Sequence, residues 1–268
     1  VIQMRCSDRP LENLEAAESL IRRAALDGAE LIVTPECSNI MTSDAAIRAE
    51  RVTGEDGDQM LARCLALARE LSVWIVIGSL ILRADDGDGH VNRSIVIAPT
   101  GEISARYDKI HMFDVSLGDG ESYRESRIFR PGQTPVTVPL DRIKLGLSIC
   151  YDLRFPELYR TLARAGAGIL TIPAAFTVPT GRAHWHVLVR ARAIETGCFV
   201  LAPTQEGRHQ ADRGKERTTY GHSLIVSPWG EILAELPDGP GIAVHDLDLS
   251  EPTRRRGMIP ALDQISPF

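Results

Sequence analysis

Apolar runs of strand length alternate with amphipathic runs of helix length along the whole chain, and this alternation restricts the fold more than any other feature. Leu11, Leu14, Ala17, Leu20, Ile21, Ala24 and Ala25 recur at helical spacing, and Gly28 supplies the stop. A short apolar strand runs from Ala29 to Glu36, closing on a proline and a carboxylate. Met60, Leu61, Cys64, Leu65, Ala68 and Leu71 mark a second helix, followed by a strand from Val73 to Leu82. Asp85-Asp86-Gly87-Asp88-Gly89 reads as a hairpin turn into a strand from Asn92 to Ala98, and Pro99-Thr100-Gly101 turns into Ile103 to Tyr107. Further strands are predicted from Ile143 to Cys150, Gly168 to Pro173, Phe199 to Pro203, Ser223 to Ser227, Glu231 to Glu235 and Ala243 to Leu249. Helices are predicted from Pro156 to Arg164, with the proline in the first turn, and from Trp185 to Thr196. Residues 112–135 and 205–220 read as long polar connections, the second basic and mobile, and the tail from Pro252 to Phe268 shows no periodicity. No repeat, low-complexity segment or linker interrupts the pattern, so residues 1–268 are read as one domain, a mixed sheet layered with helices.

Composition excludes several function classes. Thirty basic against 36 acidic residues leave a net charge of −6, with no basic stripe for nucleic acid. The longest apolar run, Leu71 to Leu82, is interrupted by Ser72, Gly78 and Ser79 and is too short for a bilayer span, which takes about 18 residues. No charged-then-apolar leader opens the sequence, which points to a cytoplasmic protein. Cys6, Cys37, Cys64, Cys150 and Cys198 are odd in number and irregular in spacing, so reduced thiols are expected rather than a disulfide framework or a zinc cluster. No metal motif is present: the acidic turn at 85–89 lacks the distal glutamate of a calcium loop, and His111, His184 and His222 read as structural hydrogen-bonders. Cys37, beside Glu36 on the expected strand, should face the opposite way and be structural, like Cys6, Cys64 and Cys198. Asn92-Arg93-Ser94 matches a glycosylation sequon, read here as chance.

Three polar residues stand where apolar strands end: Glu36, Lys109 and Cys150. Ligands of open α/β sheets bind at the carboxyl ends of strands. A cysteine at such an end, followed by a turn and a helix start, is presented as a nucleophile, and the helix N-terminus favours its thiolate. Each residue alone also fits an ordinary core or surface role, and spacing by itself leaves the choice open.

The surrounding segments decide it by resemblance. Leu31-Ile32-Val33-Thr34-Pro35-Glu36, Tyr107-Asp108-Lys109-Ile110-His111-Met112-Phe113-Asp114 and Gly146-Leu147-Ser148-Ile149-Cys150-Tyr151-Asp152-Leu153-Arg154-Phe155-Pro156-Glu157-Leu158 resemble, in order and spacing, the nitrilase (carbon–nitrogen hydrolase) superfamily. Thr180-Gly181-Arg182-Ala183-His184-Trp185, Arg190-Ala191-Arg192-Ala193-Ile194-Glu195 and Tyr220-Gly221-His222-Ser223 are similar to the branch that hydrolyses deaminated glutathione, with the omega-amidases as nearest relatives. The resemblance implies a four-layer α-β-β-α sandwich, no cofactor, and a homodimer or higher homo-oligomer paired through helices and the C-terminal tail, residues 250–268. It implies Cys150 as nucleophile, Glu36 as general base and Lys109 as oxyanion stabiliser, with the Tyr151 backbone N–H as the second oxyanion donor. It also implies a second glutamate between the lysine and the cysteine, for which Glu125 in Arg124-Glu125-Ser126 is a better match than Glu121.

An amide calls for a soft nucleophile with a base in reach, because a thiol with a pKa of about 8.5 is only slightly ionised at neutral pH. Deaminated glutathione carries carboxylates, so Arg154, Arg182 and Arg208 are candidate substrate-binding residues, and Phe176 and Thr177 follow a strand end and could line the pocket. The expected partner is therefore a small carboxylate-bearing amide, with no nucleic acid and no membrane. The alternatives are an omega-amidase for small 2-oxo acid amides, then a true nitrilase, and, in another class, a non-catalytic binding or scaffold protein with the same fold.

Overall fold

The computed structural model describes residues 1–116 and 122–264. The chain opens with β1 (Ile2–Gln3), α1 (Pro10–Leu26), β2 (Leu31–Val33), α2 (Ala45–Arg51) and α3 (Gln59–Leu71). A meander follows, β3 (Trp74–Arg83), β4 (His90–Ile97) and β5 (Ile103–Asp108), then the short pair β6 (Asp114–Ser116) and β7 (Ser122–Arg124). The second half comprises β8 (Thr137–Pro139), β9 (Lys144–Leu147), α4 (Pro156–Arg164), β10 (Ala167–Thr171), α5 (Val178–Thr196) and β11 (Phe199–Ala202). It closes with β12 (Glu206–His209), β13 (Arg217–Tyr220), β14 (Ser223–Val226), β15 (Ile232–Leu236), β16 (Gly241–Ile242) and α6 (Glu251–Met258).

Two sheets carry the fold, one ordered β2-β3-β4-β5 and the other β15-β14-β11-β10-β9-β8. Strand periodicity shows how they stack. Val33, Val76 and Val96 pair across the first sheet and share one core with Leu145, Leu147 and Ile169 of the second. The intervening Ile32, Ile75, Ile77, Ile95 and Ile97 point the other way, onto Ala17 and Ile21 of α1 and Leu61, Cys64 and Leu67 of α3. Leu158 and Leu162 of α4 and Trp185 and Val189 of α5 belong to the core of the second sheet. The result is four layers, α-β-β-α. Gly78 lets the sheets close at one end of this stack, since a Cβ there would lie 1.9 Å from the Thr34 carbonyl oxygen and 2.6 Å from the Pro173 Cβ.

Several expectations are corrected. Only Gly241–Ile242 pairs, with Ile2–Gln3, so no strand runs from Ala243 to Leu249; the chain crosses Val1 once more, through the bonds at Ala243, and then carries His245, Asp246 and Asp248 past no partner strand. The tail is not aperiodic: α6 forms because Pro252 is buried, Glu251 pairs with Arg254 and Arg255, and Arg256 donates to the Thr196 and Ala167 carbonyls at 2.8 and 2.6 Å. α5 begins at Val178 rather than Trp185, because a proline is tolerated in a first turn and Gly181 is needed there: a Cβ would meet the Tyr220 ring at 2.2 Å. Residues 205–220 are a β12–β13 hairpin rather than a loose connection, and the stretch 112–135 contains the β6–β7 pair.

Candidate active site

The residues that follow the carboxyl ends of β2, β5 and β9 meet in one place. β2 ends at Val33, and the chain turns through Glu36 and Cys37, the latter in the left-handed region at φ 57°. Strand alternation therefore does not apply to Cys37, which sits near enough for Glu36, Arg217 and Lys109 to act on its thiol, and its N–H donates to Ser79 Oγ at 2.9 Å. Cys150 also has a left-handed backbone, φ 49°, where the chain leaves the strand for a tight helical turn, Cys150–Arg154. Such a conformation is strained in a non-glycine residue and persists only where its surroundings impose it. Here the Cys150 N–H donates to the Pro173 carbonyl at 2.8 Å, and the buried Asp152 accepts from the Ile149 N–H at 2.8 Å.

Asp152 also joins this turn to the lysine segment. Its carboxylate accepts from Tyr107 Oη at 2.6 Å and from the His111 N–H at 3.0 Å, and lies 2.7 Å from His111 Nδ1. Lys109, between those two residues, is 2 % exposed. Its Nζ donates to Glu36 Oε1 at 3.0 Å and to both Glu125 oxygens at 2.8 and 2.9 Å. Glu125 is fixed in turn by the Phe113 N–H at 2.6 Å, and Glu36 by Asn92 Nδ2 at 3.0 Å. Glu121, the weaker alternative, lies outside the described residues.

The Cys150 thiol lies near enough to the Glu36 carboxylate and to the Ala175 backbone for both to act on its titration. Burial pushes the Cys150 thiol up and the Glu36 charge adds to this, with Lys109 opposing. Burial alone would raise the Glu36 carboxyl, but Lys109, the thiol and Arg217 outweigh it and hold it below its ordinary range. Lys109 loses solvation too, yet Glu125 and Glu36 hold its pKa well above the usual lysine value. The resting set is thus a neutral thiol, a carboxylate able to accept its proton, and a fixed ammonium. With Cys150 8 % exposed, this set can deliver a sulfur to an electrophilic carbon without solvent-supplied ions.

Tyr151 opens the turn after Cys150, where the first N–H groups have no intrahelical partner. Arg154 sits at the edge of this region, its guanidinium 5.8 Å from the Tyr151 ring centre and 5.6 Å from that of Phe176, and 3.3 Å from His184 Nδ1. Thr177 precedes α5, and its hydroxyl bonds Thr180 Oγ1 at 2.8 Å rather than capping a backbone N–H. Two candidate arginines are not brought to the cluster. Arg182 is exposed on α5. Arg208 points outward from the β12–β13 hairpin, pairs with Glu216 and lines a separate groove with Arg5 and Arg9. The reason is strand parity: on that hairpin His209, Arg217 and Thr219 share the inner face, and Arg208 pairs with Thr218 on the outer one.

Sequence reasoning missed Asn92, Asp152 and Arg217. Asn92 is 1 % exposed and spends its amide on Glu36, so the sequon is no acceptor for a glycan. A polar trio, Asn92-Arg93-Ser94, set between apolar residues of one strand was the available signal. A groove of about 640 Å³ lies elsewhere, lined by Leu31 and Trp74 at the starts of β2 and β3, Ile143 just before β9, and Ile169 within β10. His186, His222 and Glu235 hold their ligand-type atoms within 4.8 Å of one another, on α5 and beside β14 and β15.

Comparison with known proteins gives a consistent result. The family model Carbon-nitrogen hydrolase matches residues 1–256. The chain is 39% identical over 264 residues to a deaminated glutathione amidase of Synechocystis sp., covering 97% of this chain and 95% of that protein. Among solved structures, Nit3 of Saccharomyces cerevisiae, a member of branch 10 of the nitrilase superfamily, superposes with a TM-score of 0.86 at 30% identity, covering 98% of this chain and 94% of that one. The NitFhit protein of C. elegans gives a TM-score of 0.88 at 33% identity; 98% of this chain is covered, spanning 63% of that longer chain.

Proposed function

The chain belongs to the carbon–nitrogen hydrolase family, and from that premise we propose that it cleaves the amide bond of deaminated glutathione through a thioester on Cys150. The observation that carries the reading is the convergence of the Cys150 thiol, the Glu36 carboxylate and the Lys109 ammonium at the ends of three strands. Cys150 Sγ attacks the amide carbonyl as its proton passes to Glu36, which the raised thiol and the lowered carboxyl make a concerted step rather than prior ionisation. Negative charge develops on the carbonyl oxygen, facing Lys109 Nζ and the Tyr151 N–H; one such donor is worth about 3 kcal/mol of barrier. The tetrahedral intermediate collapses as Glu36 returns the proton to the departing amine, here a dipeptide. Glu36 then takes a proton from water attacking the thioester, releasing a short 2-oxo dicarboxylate and the free thiol. Glu125 keeps the Lys109 ammonium in place beside Glu36 throughout.

Pairing of two chains is part of the same proposal. Val187 and Ile194 on α5 and Met258 and Ile259 at the end of α6 are more than half exposed, at 68, 55, 58 and 57 %, which supports helices and tail as the paired surface.

The test is product release from deaminated glutathione, 2-oxo acid amides, ureido acids and nitriles. Deaminated glutathione should be turned over with the highest kcat/KM, and Cys150→Ala should abolish turnover of every substrate. Product release by Cys150→Ala at the parent rate would remove the mechanism, and a higher kcat/KM for a small 2-oxo acid amide would make the chain an omega-amidase.

A further inference from the structure

One half-buried cation close to Glu36 has a donor to spare. Arg217, on the inner face of the β12–β13 hairpin, donates to the Ala175 carbonyl and stands 6.0 Å from the centre of the Tyr123 ring. Its Nε is buried and, among the described residues, meets no acceptor. The Cys150 N–H bonds the Pro173 carbonyl at 2.8 Å, two residues before Ala175, so the guanidinium is anchored on the same segment that holds the nucleophile. Its charge reaches Glu36 and Cys37 as well. Leaving a guanidinium N–H buried without a partner is costly, and the cost is removed when an acceptor enters. Glu36 and Glu125 bond Lys109, and neither accepts from Arg217 Nε. Arg154 is a weaker anchor, because its guanidinium already lies against two rings and His184.

We propose that Arg217 is the carboxylate anchor of the acyl pocket, receiving the carboxylate of the substrate's acyl half on Nε and a terminal nitrogen while the thiol addresses the amide carbon. This deepens the amidase reading and rests on it for the identity of the reacting bond. A planar fork with two parallel donors matches a carboxylate and not a neutral chain end. Arg217 would thereby select amides of short 2-oxo dicarboxylic acids over uncharged amides of equal length.

The experiment compares the parent, Arg217→Met and Arg217→Lys on 2-oxoglutaramate and on pentanamide, and measures binding of 2-oxoglutarate to Cys150→Ala with and without Arg217→Met. The ratio of kcat/KM for the acid amide to that for the neutral amide should fall about 100-fold in Arg217→Met, mainly through KM, and recover in part in Arg217→Lys. The diacid should bind Cys150→Ala and fail to bind the double variant. Equal losses on both amides, or diacid binding untouched by Arg217→Met, would overturn the assignment while leaving the amidase reading standing. A parent that cleaves neither amide nor deaminated glutathione, yet binds the diacid only with Arg217 present, would overturn the amidase reading and leave the anchor.

Discussion

Lys109 stands between two carboxylates, and Glu235 stands between two imidazoles; the first cluster is buried and the second is not. Lys109 and Glu36 are 2 and 4 % exposed, and the lysine is held by three hydrogen bonds of 2.8 to 3.0 Å. Glu235 accepts from His222 at 2.6 Å and His186 at 3.0 Å, with about a third of its side chain in water. The two resemble each other in geometry and differ in consequence. In the buried cluster each charge is fixed by its neighbours, because removing one leaves another unpaired at low dielectric. At the surface, water and salt replace a lost partner. Close ion pairing in this protein therefore marks a site only where burial makes the charge states obligatory.

Lys109→Met tests that contrast most severely. It should cut kcat by a factor of about 100 to 1,000, as the loss of the proposed oxyanion donor requires. It should also cost about 3–5 kcal/mol of stability in denaturant titration, because Glu36 and Glu125 then face one another unneutralised. The pH dependence should reverse. In the parent, Glu36 sits below its ordinary range, so its contribution to stability is present above the unfolded pKa and is lost as pH falls through the lower folded value. Without Lys109, burial pushes the same carboxyl up, and the variant should gain stability between pH 7 and 5, where the parent does not. A variant with parental stability and the parental pH slope would show the buried cluster to be no more obligatory than the surface one.

The contrast also explains what could be read from the sequence. β3 and β4 were legible because a long apolar run and an Ile95–Ile97 run are joined by a Gly-rich turn, and Glu36, Lys109 and Cys150 because each follows a strand pattern. The tail helix α6 was not, since it is held by Arg256 bonding to carbonyls of distant elements rather than by an apolar stripe. Arg217 was lost for a similar reason. Its segment is polar throughout, and only pairing with His209 sets which residues face inward, so Arg208, of opposite parity, carries the same local signature. The clamp by Asp152 joins residues 45 apart in the chain and has no local signature. Local patterns reveal which strands end in reactive side chains; long-range pairing decides which side chains share a cavity.

His209 supplies the intermediate case, a buried imidazole with no carboxylate. It is 1 % exposed, with Nδ1 2.7 Å from the Cys6 carbonyl oxygen and Nε2 2.7 Å from Thr219 Oγ1, a pattern that suits the neutral ring. Burial lowers its pKa to about 4. The unfolded chain takes up the proton near 6.5, so stability should fall with pH from about 6.5 to about 4, by about 3 kcal/mol in all. His209→Gln should flatten that part of the stability curve relative to the parent. The same slope in both proteins would mean that the hairpin carrying Arg217 is not held by this ring.

Glu235→Gln should have the smallest effect. The amide keeps a hydrogen-bond acceptor for one imidazole, water reaches the other, and a half-exposed pair of this kind is worth about 1 kcal/mol at most. The melting temperature should shift by a few degrees or less at low salt and by nothing measurable at high salt, where the parental interaction is already screened. Turnover should match the parent, since none of the three residues bonds to Glu36, Lys109 or Cys150. A large loss of stability that persisted at high salt would place this cluster with the buried one and remove the distinction drawn from exposure.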